Sequence, residues 1–277
     1  MHVIDAAQVL GWTAVFGAGF LAGAINVMVG AGTLVSFPIL VLLGHAPLAA
    51  TIANTMGIVP ASLSGVLVYR RELQARSGVV RVLLPASVAG GILGAYLLLH
   101  LDSGAFSAVV PWLIAVGTVL VILGPDIKKR VTRHDHVAAG ATAPGTTYPS
   151  GSAFPTRASL PASVVGALLL GTYGGYFSAA QGILLIALLG ITTTMPMQDL
   201  NAIKNLTVAA VNVIAASVFL LASPSRIEWH LVGLIAAGSA LGGTVGGRFA
   251  RRLRPGAFRI FVASVGLVTV VAMVLNH

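Results

Sequence analysis

The stretch N201-A-I-K-N205 sets two carboxamides and an ammonium within about one helical turn, inside residues that otherwise read as membrane helix. It offers positive charge and hydrogen-bond donors without a carboxylate, a set suited to an anion. Of 16 Lys and Arg residues, Lys204 is the only one expected within the membrane and not in or beside a loop. An intramembrane cation costs about 2.5–3.5 kcal/mol even on lenient scales. Two readings stand: Lys204 is the counter-charge of an anionic substrate, or it lies one turn inside a membrane face and snorkels to water. Asn54, in A50-T-I-A-N-T55, is the first-half counterpart of Asn205. Asn54, Asn201, Asn205 and Asn212 are candidate donors, and glue between helices on the alternative reading.

Two interruptions accompany these donors. V27-M-V-G-A-G-T-L-V-S-F-P38 breaks an apolar run with glycines and a threonine, and S178-A-A-Q-G182 breaks another. A half-helix starting after each break, from Leu34 and from Ile183, would present unpaired N–H groups and a positive dipole end, an anion site. Gly30, Gly32 and Gly182 let backbone approach the ligand, and Thr33 and Gln181 add side-chain donors.

Other chemistry finds little support. The chain has no cysteine, so disulfides and thiolate metal sites are excluded. No H-E-x-x-H or G-x-S-x-G motif occurs, no acidic pair falls in a span, and neither catalytic residue nor cofactor is expected. His134-Asp-His136 does not have a standard metal-ligand spacing and reads as solvated loop.

The elements that must position these residues follow from composition. The 277 residues are 57% hydrophobic and 8% charged, with mean hydropathy +0.95, against about a quarter charged in soluble domains. Apolar runs recur at 9–29, 48–68, 79–99, 106–124, 160–178, 202–222, 229–247 and 257–275. Each is long enough for a hydrocarbon core of about 30 Å. The chain is therefore an all-α polytopic membrane protein, its partner the lipid bilayer. The net charge of +9 reflects topology, not nucleic acid. Pro60, Pro85 and Pro111 should kink spans, and Trp12, Trp112 and Trp229 should mark interfaces.

Fourteen of the 16 basic residues fall in three clusters: Arg70–Arg81, Lys128–Arg157 and Arg248–Arg259. The positive-inside rule makes all three cytoplasmic. Only two crossings are then allowed between the second and third clusters. Three apolar segments lie there, so the broken one, 160–190, is read as a re-entrant hairpin, buried in protein because lipid cannot satisfy its backbone. Displaced by 152 residues, G90–F106 matches G242–F258 at seven of seventeen positions, with opposite charge context in the following turns. The pattern is an inverted repeat, each half one re-entrant, broken helical hairpin plus three transmembrane helices, as in many secondary transporters. Residues 1–124 form the first repeat, 125–158 a flexible cytoplasmic loop, and 159–277 the second, inverted repeat. The first hairpin, 9–43, enters from outside, the tips meet near the midplane, and both termini lie outside the cell (inner) membrane.

In order and in duplicate, G19-F-L-A-G23, V29-G-A-G-T-L-V-S-F-P38, A50-T-I-A-N-T55, G171-T-Y-G-G175, A180-Q-G-I183 and N201-A-I-K-N205 resemble the sulfite exporter TauE/SafE family of anion permeases. The resemblance covers most of 11–275. It implies export of a small sulfur-containing oxyanion such as sulfite, sulfoacetate or a related organosulfonate, with alternating access as the expected mechanism for the repeat. An uncoupled channel-like pore or a membrane scaffold is the alternative. The chain departs from the family's glycine runs at Ala31, Thr33, Ser178 and Ala180, which should reshape the tips. With no buried acidic relay, protons as coupling ion would ride on the weak-acid substrate itself.

Overall fold

The computed structural model describes residues 6–140, 159–249 and 255–275. Among them every regular element is a helix: α1 (Ala6–Met28), α2 (Thr33–Leu42), α3 (Pro47–Gly57), α4 (Val59–Val68), α5 (Arg70–Ala75), α6 (Ser77–His100), α7 (Ser103–Gly140), α8 (Ser159–Tyr176), α9 (Gln181–Thr192), α10 (Met197–Ala222), α11 (Trp229–Phe249) and α12 (Pro255–Leu275). Five segments are long and apolar enough to cross a membrane: Gln8–Met28, Pro47–Val68, Ser77–His100, Gly104–Gly124 and Met197–Ala222.

The polarity is distributed as a bilayer requires. Large apolar side chains face outward, Leu221 and Ile191 being 83% and 81% exposed, whereas Lys204, Asn54 and Asn212 are fully buried. Trp12, Trp112 and Trp229 are exposed, as interfacial anchors should be.

Both apolar segments break as expected, between α1 and α2 and between α8 and α9. α2 has 10 residues and α9 has 12, so at 1.5 Å per residue each rises about 15–18 Å, roughly half a hydrocarbon core. α1 is longer than a half-span: its 23 residues could cross alone by length. The apolar run 48–68 is also broken, since α3 ends at Gly57 and α4 starts at Val59. Pro60 lies in that new first turn, where its missing N–H costs least.

One expectation is corrected. The segment 125–158 was assigned to loop from its polar composition, yet α7 continues through Gly140. Residues 126–139 hold no glycine or proline and include alanines, lysines and arginines, so nothing stops the helix. Residues 141–158 lie outside the described residues, as do the side chains of His134, Asp135 and His136 and most of the third basic cluster.

Helix directions follow from where backbones touch. Gly19 lies against Ile235 and Gly23 against Ser239, so α1 and α11 run the same way. Ala61 lies against Gly243, and Ser239 donates to Gly57 O at 2.6 Å, so α4 runs with them. Gly90 and Gly94 fit against Leu168–Tyr176 of α8, while Gly171 and Gly175 fit against Ser87 and Gly91, so α6 and α8 are parallel. α6 returns from α4 through six-residue α5, hence opposite to it. The first arms of the two hairpins, α1 and α8, therefore run in opposite directions, each packed on a helix from the other half. The GxxxG pairs Gly19/Gly23 and Gly90/Gly94 serve this packing, letting backbones approach closely.

Two polar ties join the halves at helix ends. Arg76, just before α6, donates its Nε–H to Asp199 Oδ2 at 2.6 Å, in the first turn of α10. There the carboxylate also suits the positive helix end. In the other tie, His45 Nδ1 lies 3.3 Å from Glu228 Oε2.

Candidate functional site

The chain breaks at the two tips for local reasons. Gly30 has φ +76°, the left-handed conformation that favours glycine. At the second tip Ser178 and Ala180 take the same region, with φ +61° and +57°. Non-glycine residues are held there at about 1–2 kcal/mol each. Ser178 and Ala180 thus keep the bend and accept the strain.

The tips touch directly. Gly182 N–H donates to Gly30 O at 3.1 Å, and a Cβ on either glycine would lie 2.6 Å from the other's Cα. Phe177 of the second tip packs edge-on against Phe37 of α2 at 5.0 Å between ring centroids, and Phe106 of α7 packs on Phe177.

Lys204 reaches this contact. Its Cδ lies 3.3 Å and 3.1 Å from where Cβ atoms on Gly30 and Gly182 would sit. Its ammonium donates to Val27 O at 3.2 Å, close to the C-terminus of α1, where a cation opposes the negative helix end. It is 0% exposed, so the snorkelling alternative does not describe this geometry.

The other predicted residues separate into two groups. Asn54 is consumed: its Nδ2 donates to Thr33 Oγ1 at 3.0 Å, and its Oδ1 accepts from Ser36. Asn54 and Thr33 therefore clasp α2 onto α3, with the Thr33 hydroxyl accepting in that bond. Asn201 is also used, donating to Met197 O at 2.8 Å one turn earlier. Gln181 and Asn205 differ, since Gln181 Oε1 and Asn205 Nδ2 are buried without a hydrogen-bond partner.

The backbone donors expected from Leu34 and Ile183 onward are already spent. Leu34 N–H bonds to Ala31 O and Val35 N–H to Gly32 O, while the N–H groups of Ile183 and Leu184 both bond to Ala180 O. Tight turns of this kind satisfy helix-start amides locally. Gly32 serves packing, because a Cβ there would lie 2.2 Å from Ala22 O and 2.9 Å from Ile58 Cδ1.

This separates two glycines that look alike in sequence. Gly182→Ala should abolish transport by wedging the tips apart. Gly32→Ala should instead lower thermal stability by about 1–3 kcal/mol, the usual cost of overpacking. Melting temperature and uptake measured on both variants check this. Equal stability losses would contradict it.

A buried polar chain was missed. Asn26 and Asn212 both donate to Ser62 Oγ, at 3.0 Å and 3.1 Å; Ser62 donates to Ile58 O, and Ser178 donates to Asn212 Oδ1 at 3.2 Å. It ties α1, α4, α10 and the second tip together. Of its members only Asn212 had been singled out, as a candidate donor or helix glue, and glue is what it does. The available signal was that Asn26, Ser62 and Ser178 are polar residues inside apolar runs.

Two broken hairpins thus meet tip to tip, with one buried lysine against the contact and two unsatisfied carboxamides next to it in sequence. Among the described residues no cluster of His, Cys, Asp or Glu could hold a metal. The arrangement can neutralise and hydrogen-bond a small anion once the tips part. A family model described as Sulfite exporter TauE/SafE matches residues 15–273. No curated protein matches the chain, nor does any solved structure.

Proposed function

The chain belongs to the sulfite exporter TauE/SafE family, and from that premise we propose that it is a permease exporting a small sulfur-containing oxyanion by alternating access. Sulfite, sulfoacetate and related organosulfonates are the substrate class, and the membrane is the cell (inner) membrane. The observation that carries this reading is Lys204, fully buried against the Gly30–Gly182 contact between the two broken hairpins. A lysine in that setting is a functional site by its cost alone.

The opposite directions of α1 and α8, each packed on the other half, support the inverted repeat. Each half then moves against the other, and the Gly182–Gly30 hydrogen bond is the contact that must open. A neutral bond of this kind nets about 1 kcal/mol, weak enough for a substrate to exchange for its own contacts. A direct tip-to-tip bond also favours a gated carrier over an open channel-like pore. Lys204, Gly30, Gly182, Gln181 and Asn205 form the site, and the Thr33–Asn54–Ser36 clasp holds its frame. Any coupled proton travels on the weak-acid substrate.

A thermal-stabilisation screen of the purified chain tests the substrate class. Sulfite or an organosulfonate should raise the melting temperature above equal concentrations of chloride. No rise with any sulfur oxyanion would sink the reading.

For topology, both termini lie outside and the three basic clusters inside. The cysteine-free chain accepts single cysteines. An impermeant maleimide should leave Arg251→Cys unlabelled in intact cells and label it after lysis. Labelling in intact cells would contradict the inverted repeat.

A further inference from the structure

We propose that the substrate's hydrogen-bonding subsite belongs to the second half alone, with Asn205 of α10 as its principal donor and Gln181 of the second tip as the other. The inference rests on the permease reading and assigns its specificity to one half. Gln181 opens α9 as Thr33 opens α2, and Asn205 corresponds to Asn54. In the first half this pair is closed by Ser36, three residues into α2, which donates to Asn54 Oδ1. Three residues into α9 stands Leu184, which has no hydroxyl. The second copy therefore cannot close its network. Gln181 and Asn205 are 1% and 5% exposed, and each keeps a buried polar atom without a partner.

A buried unsatisfied polar atom costs more than an ordinary paired hydrogen bond returns, and natural proteins keep few without a reason. Here two belong to residues next in the chain to the tip contact. Gly182 touches the Lys204 side chain, and Gln181 and Asn205 are the chain neighbours of those two residues. Their room is provided by glycines: the Asn205 Cγ lies 3.3 Å from a Cβ position on Gly65, and Gln181 Cδ lies 2.3 Å from one on Gly174. Asn205 Nδ2 carries two N–H donors, and its chain neighbour Lys204 supplies the ammonium. A half-turn of the Gln181 carboxamide exchanges its acceptor for donors. Such a set fits an acceptor-rich oxyanion, and a halide would use fewer of its directed donors.

The subsite makes opposite predictions for corresponding residues. Asn205→Leu removes an unsatisfied group, so its ligand-free melting temperature should equal or exceed that of the wild type. Its apparent affinity for sulfite, from thermal-shift titration of the detergent-purified full chain, should fall by about tenfold or more, as for a lost charge-assisted bond. Asn54→Leu leaves Thr33 and Ser36 unpaired, so it should lower the melting temperature and keep sulfite affinity within about threefold, since Asn54 would not touch the ligand. Gln181→Met and Asn205→Ala carry the same expectation as Asn205→Leu if that variant does not purify. Unchanged sulfite affinity in the Asn205 and Gln181 variants would overturn the subsite and leave the permease reading standing. Ligand-free destabilisation of Asn205→Leu matching that of Asn54→Leu would also overturn it, by making Asn205 a packing residue. A wild type that responds to no sulfur oxyanion would instead remove the permease reading, and the subsite with it.

Discussion

Gly94→Ala should destabilise the protein by about 3 kcal/mol or more, at or beyond the upper end of the usual overpacking range. A Cβ on Gly94 would lie 2.0 Å from Thr172 O and 2.8 Å from Tyr176 N. Both are backbone atoms of α8, so no side chain can swing aside. Retreat of α8 is also costly, because Gly171 and Gly175 seat the backbone of α6 at Ser87 and Gly91 in the same interface. One methyl group therefore acts on a whole helix pair. The control is Gly233→Ala on α11, where nothing lies within 4 Å of the added atom. Removing an exposed helix glycine should be neutral or stabilise by up to about 1 kcal/mol. Thermal unfolding of both variants in detergent separates these outcomes. Equal melting temperatures would mean that α6 and α8 are not in backbone contact.

Lys204→Met should weaken anion binding by roughly thirtyfold or more, the scale of deleting one member of a buried charge pair. Methionine keeps an unbranched stem, one atom shorter, and removes the charge and its donors. Arg226→Ala provides the contrast. Arg226 donates through Nη1 to Leu99 O at 3.1 Å, near the end of α6, so its loss should lower the melting temperature modestly and leave affinity nearly unchanged. Equal losses of affinity in the two variants would remove Lys204 from the site.

What the sequence revealed about this molecule depended on how local the signal was. The breaks at G30-A-G-T33 and A180-Q-G182 were legible because glycine and polar residues inside an apolar run have few other uses in lipid. The packing role of Gly90 and Gly94 was legible from spacing alone. The direction in which Gly32 faces was not. Its neighbour Ala22 is on the other arm of the same hairpin, and only the hairpin's closure decides whether that face meets protein or ligand. The fate of the tip amides was hidden for a similar reason. Gly182 N–H is satisfied by Gly30 O across 152 residues of chain. The Asn54–Thr33–Ser36 clasp and the Asn26–Ser62–Asn212–Ser178 chain likewise depend on which helix faces which. The extension of α7 past Pro125 was missed because charge was read as loop, although lysine and arginine are good helix formers.

In the proposed permease the two tips enclose one anion at Lys204 and part on alternate sides. Counterflow tests it most directly: uptake of labelled sulfite into proteoliposomes, with and without unlabelled sulfite inside, for wild type and Lys204→Met side by side. A carrier with this site should show uptake accelerated by internal sulfite in the wild type and neither uptake nor acceleration in the variant. Wild-type uptake indifferent to internal sulfite would identify an uncoupled pore, and full acceleration in Lys204→Met would place the anion somewhere other than the meeting of the tips.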